Sequence, residues 1–237
     1  MKSSSLRIAS YNLQKCVGLD LRRRPDRSLG VINALEAAVV VLQEADKRLP
    51  PRPAALPRDM AEEAGWRVAD FGLGGRSGSL GWHGNAMLVA PGVEVVETAH
   101  IDLPGLEPRG AIRAELVTEF GALRVIGAHL GLLRRFRLLQ LAAITRHLAR
   151  LPDRPTVLAG DLNEWGSARA LEVATPGLTI LPERHSFPAP RPVAAIDRFA
   201  LSPHLEALDH GTHTARPARV ASDHLPIWAD IAFRSRI

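Results

Sequence analysis

T-V-L-A-G-D-L-N, residues Thr156–Asn163, is an apolar run that ends in a glycine, followed by a carboxylate and a carboxamide two residues apart. Such a short continuous apolar run predicts a strand covered on both faces. Asp161 and Asn163 then project from its mouth, where irregular backbone begins. Asp and Asn also favour turns, for local hydrogen-bonding reasons. The turn reading weakens beside A-S-D-H-L-P, Ala221–Pro226, which again sets an acid and a histidine ahead of an apolar strand. Two acidic strand ends and a histidine point to a site that binds a hard cation and hydrolyses a substrate.

Outward from this stretch the pattern is rich in strands. Leu6–Leu13 alternates as a strand with Asn12 at its end, and Val39–Gln43 is a β-branched run closed by Glu44. Further strands are predicted at Trp66–Phe71, Asn85–Ala90, Val93–Ile101, Ala111–Val117, Leu123–His129, Ile196–Leu201, Glu206–His213 and Pro226–Phe233. Pro25–Glu36 reads as a helix with Pro and Asp in its first turn. Arg134–Leu151 gives the longest helix, with short ones at Arg58–Ala64 and near Ser167–Val173. The prolines of Pro50–Pro57, the glycines of Gly72–Gly84 and the segment Phe187–Pro192 mark loops. This order predicts mixed sheets in one α/β domain spanning 1–237, not a βαβ repeat.

With 237 residues and 46% hydrophobic content the chain has ample material for a core. Its apolar runs are too short to span a bilayer, and Met1–Arg7 lacks the apolar segment of a signal peptide, so a cytoplasmic monomer is expected. A lone Cys16 excludes a disulfide framework and a cysteine-based zinc site. The net charge of +5 invites a polyanionic partner. Of the 30 basic residues, however, only Lys2, Lys15 and Lys47 are lysine, a bias that also fits nucleotide composition. The clusters Arg22–Arg24 with Arg27, and Arg134, Arg135 and Arg137, are better local signals than the total.

Several motifs fail. Asp70-Phe71-Gly72 spells a kinase tripeptide without the catalytic loop, and Ser77 breaks the G-x-G-x-x-G spacing after Gly72. No Walker A loop, G-x-S-x-G or H-E-x-x-H occurs. His210 and His213 fall on opposite faces of a strand, which argues against a shared metal.

Four apolar strands end in a polar residue: Asn12, Glu44, His129 and Asp161. With Asn163, Asp197, Asp223 and His224 they form the recurrent signal, since loops at strand ends are where scaffolds present reactive groups. In this order the chain resembles the endonuclease/exonuclease/phosphatase superfamily. R-I-A-S-Y-N-L, V-V-V-L-Q-E, G-N-A-M-L-V and H-L-G-L, followed by Arg137 and Gln140, are similar to its successive motifs. G-D-L-N, I-D-R-F-A-L-S and S-D-H-L-P-I complete the series. Gln14 stands where many nucleases of the group have an acid, and no tyrosine matches the one near the phosphate in apurinic endonucleases.

The resemblance implies a four-layer α/β sandwich, two mixed sheets packed face to face with helices outside. It implies a Mg²⁺-dependent phosphodiesterase, with Mn²⁺ as a substitute, in which Glu44, Asp223 and Asn12 hold the metal. Asp161 would orient or deprotonate the attacking water, and Asn163 would donate to a phosphate oxygen. His224, supported by Asp197, and His129 would serve the phosphoryl group. Asn12, Asn85, Arg113 and Arg137 would face the substrate. Plain readings stay open: Asn12 as a loop anchor, Asp197 as a partner of Arg198, and Trp82 as a core residue instead of a stacking platform. Nucleic acid is favoured over a lipid or inositol-phosphate head group, and an inactive binding module is the remaining alternative.

Overall fold

Period-two alternation places one face of most strands against the opposite sheet, and this inner parity organises the molecule. The computed structural model describes residues 5–47, 53–72, 78–166 and 169–234. In chain order the elements are β1 (Leu6–Asn12), α1 (Pro25–Asn33), β2 (Val39–Gln43), α2 (Arg58–Glu63), β3 (Arg67–Val68) and β4 (Ala86–Val89). There follow β5 (Glu94–Asp102), β6 (Gly110–Thr118), β7 (Gly121–His129), α3 (Arg134–Leu148) and β8 (Thr156–Asp161). The chain closes with α4 (Arg169–Ala174), β9 (Thr179–Ile180), β10 (Asp197–Leu201), β11 (Leu205–Thr212), α5 (Ala218–Ala221) and β12 (Ile227–Phe233).

These strands build two six-stranded sheets, ordered β11-β12-β1-β2-β4-β3 and β5-β6-β7-β8-β10-β9. Each sheet contains one parallel pair, β1 with β2 and β7 with β8, and its other pairings are antiparallel. A helix bridges each parallel pair, α1 in the first case and α3 in the second, as a crossover connection requires. Between the sheets lie Ile8, Val41, Met87, Ile112, Val125, Val157, Phe199 and Ala229. Each large aliphatic group buried there contributes ~1.5–3 kcal/mol. On the outer faces Leu29, Ile32 and Ala61 of α1 and α2 cover the first sheet. Leu141, Ile144 and Leu171 of α3 and α4 cover the second. The result is a four-layer α/β sandwich. Among the described residues no helix is long and apolar enough to cross a membrane.

The strand expected over Trp66–Phe71 shrinks to Arg67–Val68, because Asp70 Oδ1 accepts the Gly72 amide at 3.0 Å and turns the chain away. Part of the expected loop Pro50–Pro57 and of the glycine-rich loop, with Ser167, lies outside the described residues. The short pieces β9 and α5 carry too few residues for a periodic signal.

Two glycines set how closely the layers approach. A Cβ on Gly127 would lie 2.5 Å from Val41 Cγ1 in the facing sheet. A Cβ on Gly160 would lie 1.9 Å from the Ala128 carbonyl oxygen, and its φ of +152° is one that L side chains rarely adopt. Gly160→Ala should therefore force β8 off β7 and destabilise the protein by roughly 3 kcal/mol. A melting temperature lowered by about 6–12 °C in circular dichroism is expected; an unchanged melt would contradict the close approach.

Candidate active site

Parity explains where the polar residues go. Asn12, His129 and Asp161 continue the inward-facing rows Ile8-Ser10, Val125-Gly127 and Val157-Ala159 as the C-terminal ends of parallel strands. Asp197, aligned with Asp161, opens the antiparallel β10 at the same edge. Gly84–Asn85 lead into β4 there, and Asp223–His224 precede β12. The interior of the sandwich thus changes from apolar to polar at one edge and opens into a cleft of about 340 Å³. The cleft is lined by Asn12, Lys15, Glu44, His129, Asp161 and His224, among others.

Asp161 is the hub. Its Oδ2 accepts the Asn12 Nδ2 amide at 3.0 Å and lies 3.3 Å from His129 Nε2 and 3.8 Å from His224 Nε2. Its Oδ1 accepts the Asn163 main-chain amide at 3.0 Å. Burial, and then the charge of Asp197, push its carboxyl up to about 7. Burial alone would lower the His224 imidazole. The charge and hydrogen bond of Asp197, with Asp161 and Asp223 behind them, outweigh it and raise the ring to about 10. His224 Nδ1 lies 2.9 Å from Asp197 Oδ2, which also accepts the buried Ser186 hydroxyl. Asp161, Asp197 and His224 offer ligand atoms all within 4.8 Å of one another. His224 Nδ1 and Asp197 Oδ2 already face one another within this trio, an arrangement suited to an acid–base relay.

The residues expected to hold a cation are Glu44, Asp223 and Asn12. The Glu44 side chain is about a quarter exposed and its backbone is held at a φ of +50°. Burial keeps the Asp223 carboxyl above its ordinary value, His224 opposing this and the charge of Glu44 adding to it. Asn12 adds an amide oxygen, which accepts the Gln14 main-chain amide at 3.0 Å. Glu44 carries the Lys15 ammonium on its Oε2, so a cation already sits at this carboxylate. An all-oxygen set of this kind fits a hard divalent ion.

Three residues expected to face the substrate are committed elsewhere. Asn85 is fully buried and donates to the Gly110 carbonyl at 2.9 Å, fixing the turn into β4. Arg113 lies on the outer face of β6 in an ion-pair cluster with Glu97, Glu115 and, through Glu115, Arg124. Arg137 reaches back from α3 to Glu164 at 3.1 Å and to the Leu132 carbonyl at 2.6 Å, which shapes the loop after β7. Asn163 lines the cleft, but its side-chain amide donates to the Leu130 carbonyl at 2.9 Å, so it clamps two loops together. Arg198 pairs with Glu183 and not with Asp197. Trp82 stacks on His100 with centroids 4.1 Å apart, at the edge of the core.

Other residues that line the cleft were not among the expected site residues. Lys15 and Glu107 line it, as do Phe187 and Trp165, whose rings meet edge to face at 5.7 Å. Phe187 in turn lies 4.9 Å from the His224 ring. Trp165 follows G-D-L-N almost directly and is 64% exposed, high for so large a ring.

The fold and sequence have known counterparts. Danio rerio TDP2 complexed with a single-strand DNA product superposes with a TM-score of 0.74 at 20% identity, covering 97% of this chain and 99% of that one. The mannosyl-6-phosphatase Bt3783 of Bacteroides thetaiotaomicron gives 0.75 at 19% identity, covering 97% and 100%. The "Uncharacterized protein YbhP" of Escherichia coli K12 is 31% identical over 164 residues, which span 64% of this chain and 63% of that protein. The model of the Endonuclease/Exonuclease/phosphatase family matches residues 9–224, and the chain belongs to that family.

Proposed function

We propose that the protein is a Mg²⁺-dependent phosphodiesterase acting on nucleic acid. The observation that carries the hydrolytic reading is the convergence of Asn12, His129, Asn163 and His224 on one buried carboxylate, Asp161, at the floor of a cleft that also holds Glu44. A phosphodiester is anionic and repels nucleophiles, so its hydrolysis needs charge neutralisation, an oriented water and support for the leaving oxygen. Mg²⁺ held by Glu44, Asn12 and Asp223 would supply Lewis acidity at a phosphoryl oxygen. Asp161 takes the proton of the attacking water as its oxygen bonds to phosphorus, and the bond to the leaving oxygen breaks. His224, kept cationic by Asp197, and His129 donate to phosphoryl oxygens as charge builds, and the leaving oxygen takes up a proton from solvent water, to which Asp161 returns its own. The products are a phosphomonoester and an alcohol.

The net charge of +5 and the exposed Trp165 on the cleft wall support nucleic acid, since every base has a face that stacks on an aromatic ring. A lipid head group is the second reading. Leu106, Leu132 and Leu133 are 79%, 62% and 52% exposed, and Glu107 Oε1 joins their loops by accepting the Leu132 amide at 3.0 Å. A Mg²⁺ assay over plasmid DNA, single strands, abasic duplex, RNA, phospholipids, inositol phosphates and an aryl phosphodiester separates them. Turnover of DNA or RNA above the rest is expected. Turnover confined to lipid or inositol phosphates would overturn the nucleic-acid reading and leave the chemistry standing.

Activity should require Mg²⁺ or Mn²⁺ and vanish with chelator, and Glu44→Gln, which keeps shape but removes charge, should cut turnover by roughly 10²-fold or more. Full activity in excess chelator would sink the metal-dependent reading.

His224→Ala should lower kcat by ~10²–10⁴ with little change in melting temperature, because a general acid–base group is lost. Asp197→Asn should give a smaller loss, since the ring remains but its charge support weakens. The double variant should be little worse than His224→Ala, as residues acting as a unit are not additive. Losses that simply multiply in the double would mark the pair as structural.

A further inference from the structure

Arginine provides nearly all of the positive charge of this chain, and among the described residues several arginines are held in ion pairs such as Arg7–Asp230, Arg27–Asp20 and Arg113–Glu115. Lysine is confined to Lys2, Lys15 and Lys47, and the two among the described residues both line the cleft. The choice has physical content. A lysine ammonium is a compact point charge on a flexible stem, able to leave one anion for another, whereas arginine is a planar fork suited to one fixed partner.

Lys15 is held in place. Its main-chain amide donates to the Glu44 carbonyl at 3.1 Å, and its own carbonyl accepts Arg23 Nη1 at 2.9 Å. It sits at a φ of +58° between Gln14 at +46° and Cys16 at +58°, three left-handed residues in a row without a glycine. Such backbone costs free energy and persists only where its surroundings enforce it. The consequence is that the ammonium points into the cleft and bonds Glu44 Oε2, while its side chain stays 31% exposed. Gln14 does not offer a further acidic ligand: its Oε1 accepts the Asp223 main-chain amide at 3.0 Å.

We propose that Lys15 is the second cation of the site: it competes with a divalent ion for Glu44 and, once displaced, faces the phosphoryl oxygens of the substrate, so that one metal ion per chain suffices. This deepens the metal-dependent phosphodiesterase reading and rests on it. It makes two expectations of opposite sign. Removing the lysine charge relieves repulsion at Glu44 and should tighten metal binding, yet it also removes a positive group from the developing anionic charge and should slow turnover.

The test uses the full chain and Mn²⁺ alone, by isothermal titration calorimetry and by the Mn²⁺ electron paramagnetic resonance signal. Wild type should bind one Mn²⁺. Lys15→Met should also bind one, about tenfold more tightly, because a like charge near the ligand is gone. Its kcat on an aryl phosphodiester at saturating Mn²⁺ should fall by roughly 10²-fold. Lys15→Arg, which keeps the charge, should retain wild-type Mn²⁺ affinity with an intermediate kcat, and it serves if Lys15→Met fails to fold. Weaker or unchanged Mn²⁺ binding in Lys15→Met, tighter binding in Lys15→Arg, or two ions per chain in wild type would overturn the proposal. Glu44→Gln separates the two levels. If Glu44→Gln binds Mn²⁺ as wild type does, the metal reading itself fails and this inference with it. If it loses Mn²⁺ while Lys15→Met shows no gain, only the role of Lys15 fails.

Discussion

A carboxylate buried between two sheets is the constraint around which this molecule is arranged. Removed from water, Asp161 must find partners inside the protein or give up its charge. It finds them on four separate segments: Asn12 from the first sheet, His129 from the neighbouring strand, the Asn163 main chain and His224 ahead of β12. Of these, only Asn163 is close to Asp161 in sequence. The geometry of the cleft therefore exists only when both sheets are formed and packed, and the bonds of Asn12 to Asp161 and of His224 to Asp197 cross between them. That ties the proposed chemistry to the completeness of the fold, and it explains why so many groups of the site are small and buried instead of long and mobile.

The two sheets reach this arrangement by the same device. Each has a central parallel pair joined by a helical crossover, and each pair delivers its C-terminal ends to the same edge. The antiparallel neighbours β4, β10 and β12 contribute their N-terminal ends there. Because the inner parity of every strand is already dictated by core packing, the residue that follows the last buried aliphatic group on that face must enter the cleft. Val157, Ala159 and Asp161 are consecutive members of one row, and so are Val125, Gly127 and His129. Reactive groups held on strand ends inherit the rigidity of the sheet, which is what a site that must stay organised before substrate arrives requires.

That same parity decides what could be read from the residues alone. Strand ends were legible, since apolar runs closing on Asn12, Glu44, His129 and Asp161 carry both the strand signal and the functional one. Asp197 and His224 were legible through motif order. What the pattern could not give was the direction of side chains that leave the regular rows. Arg113 is on the outer parity of β6, opposite to Ile112 and Ala114, so alternation alone would have turned it from the cleft had the sheet faces been known. Arg137 and Asn85 are polar groups with backbone partners, and no local rule distinguishes such a clamp from a ligand. Lys15 and Trp165 were silent because their placement depends on left-handed or irregular backbone, where neither period two nor period 3.6 applies. The strand expected at Trp66–Phe71 failed for the reason that often defeats propensity: an aspartate, Asp70, offered the backbone a local turn instead.

The division between rigid strand ends and irregular loops also separates two properties of the proposed enzyme. Chemistry lies with groups on the sheets, and a phosphate needs little more from them than charge, orientation and a proton acceptor. Selection among phosphoesters lies with whatever touches the organic part of the substrate, here the wall formed by Trp165, Phe187 and Leu132. Those residues come from three loops held by interactions outside the hub: Glu164 with Arg137, Leu132 with Glu107, and Ser186 with Asp197. Changing the wall thus need not disturb the hub, except through Ser186, which touches both. The inner parity of the sandwich fixes where the hub residues stand, and the loops are free to change the wall beside them.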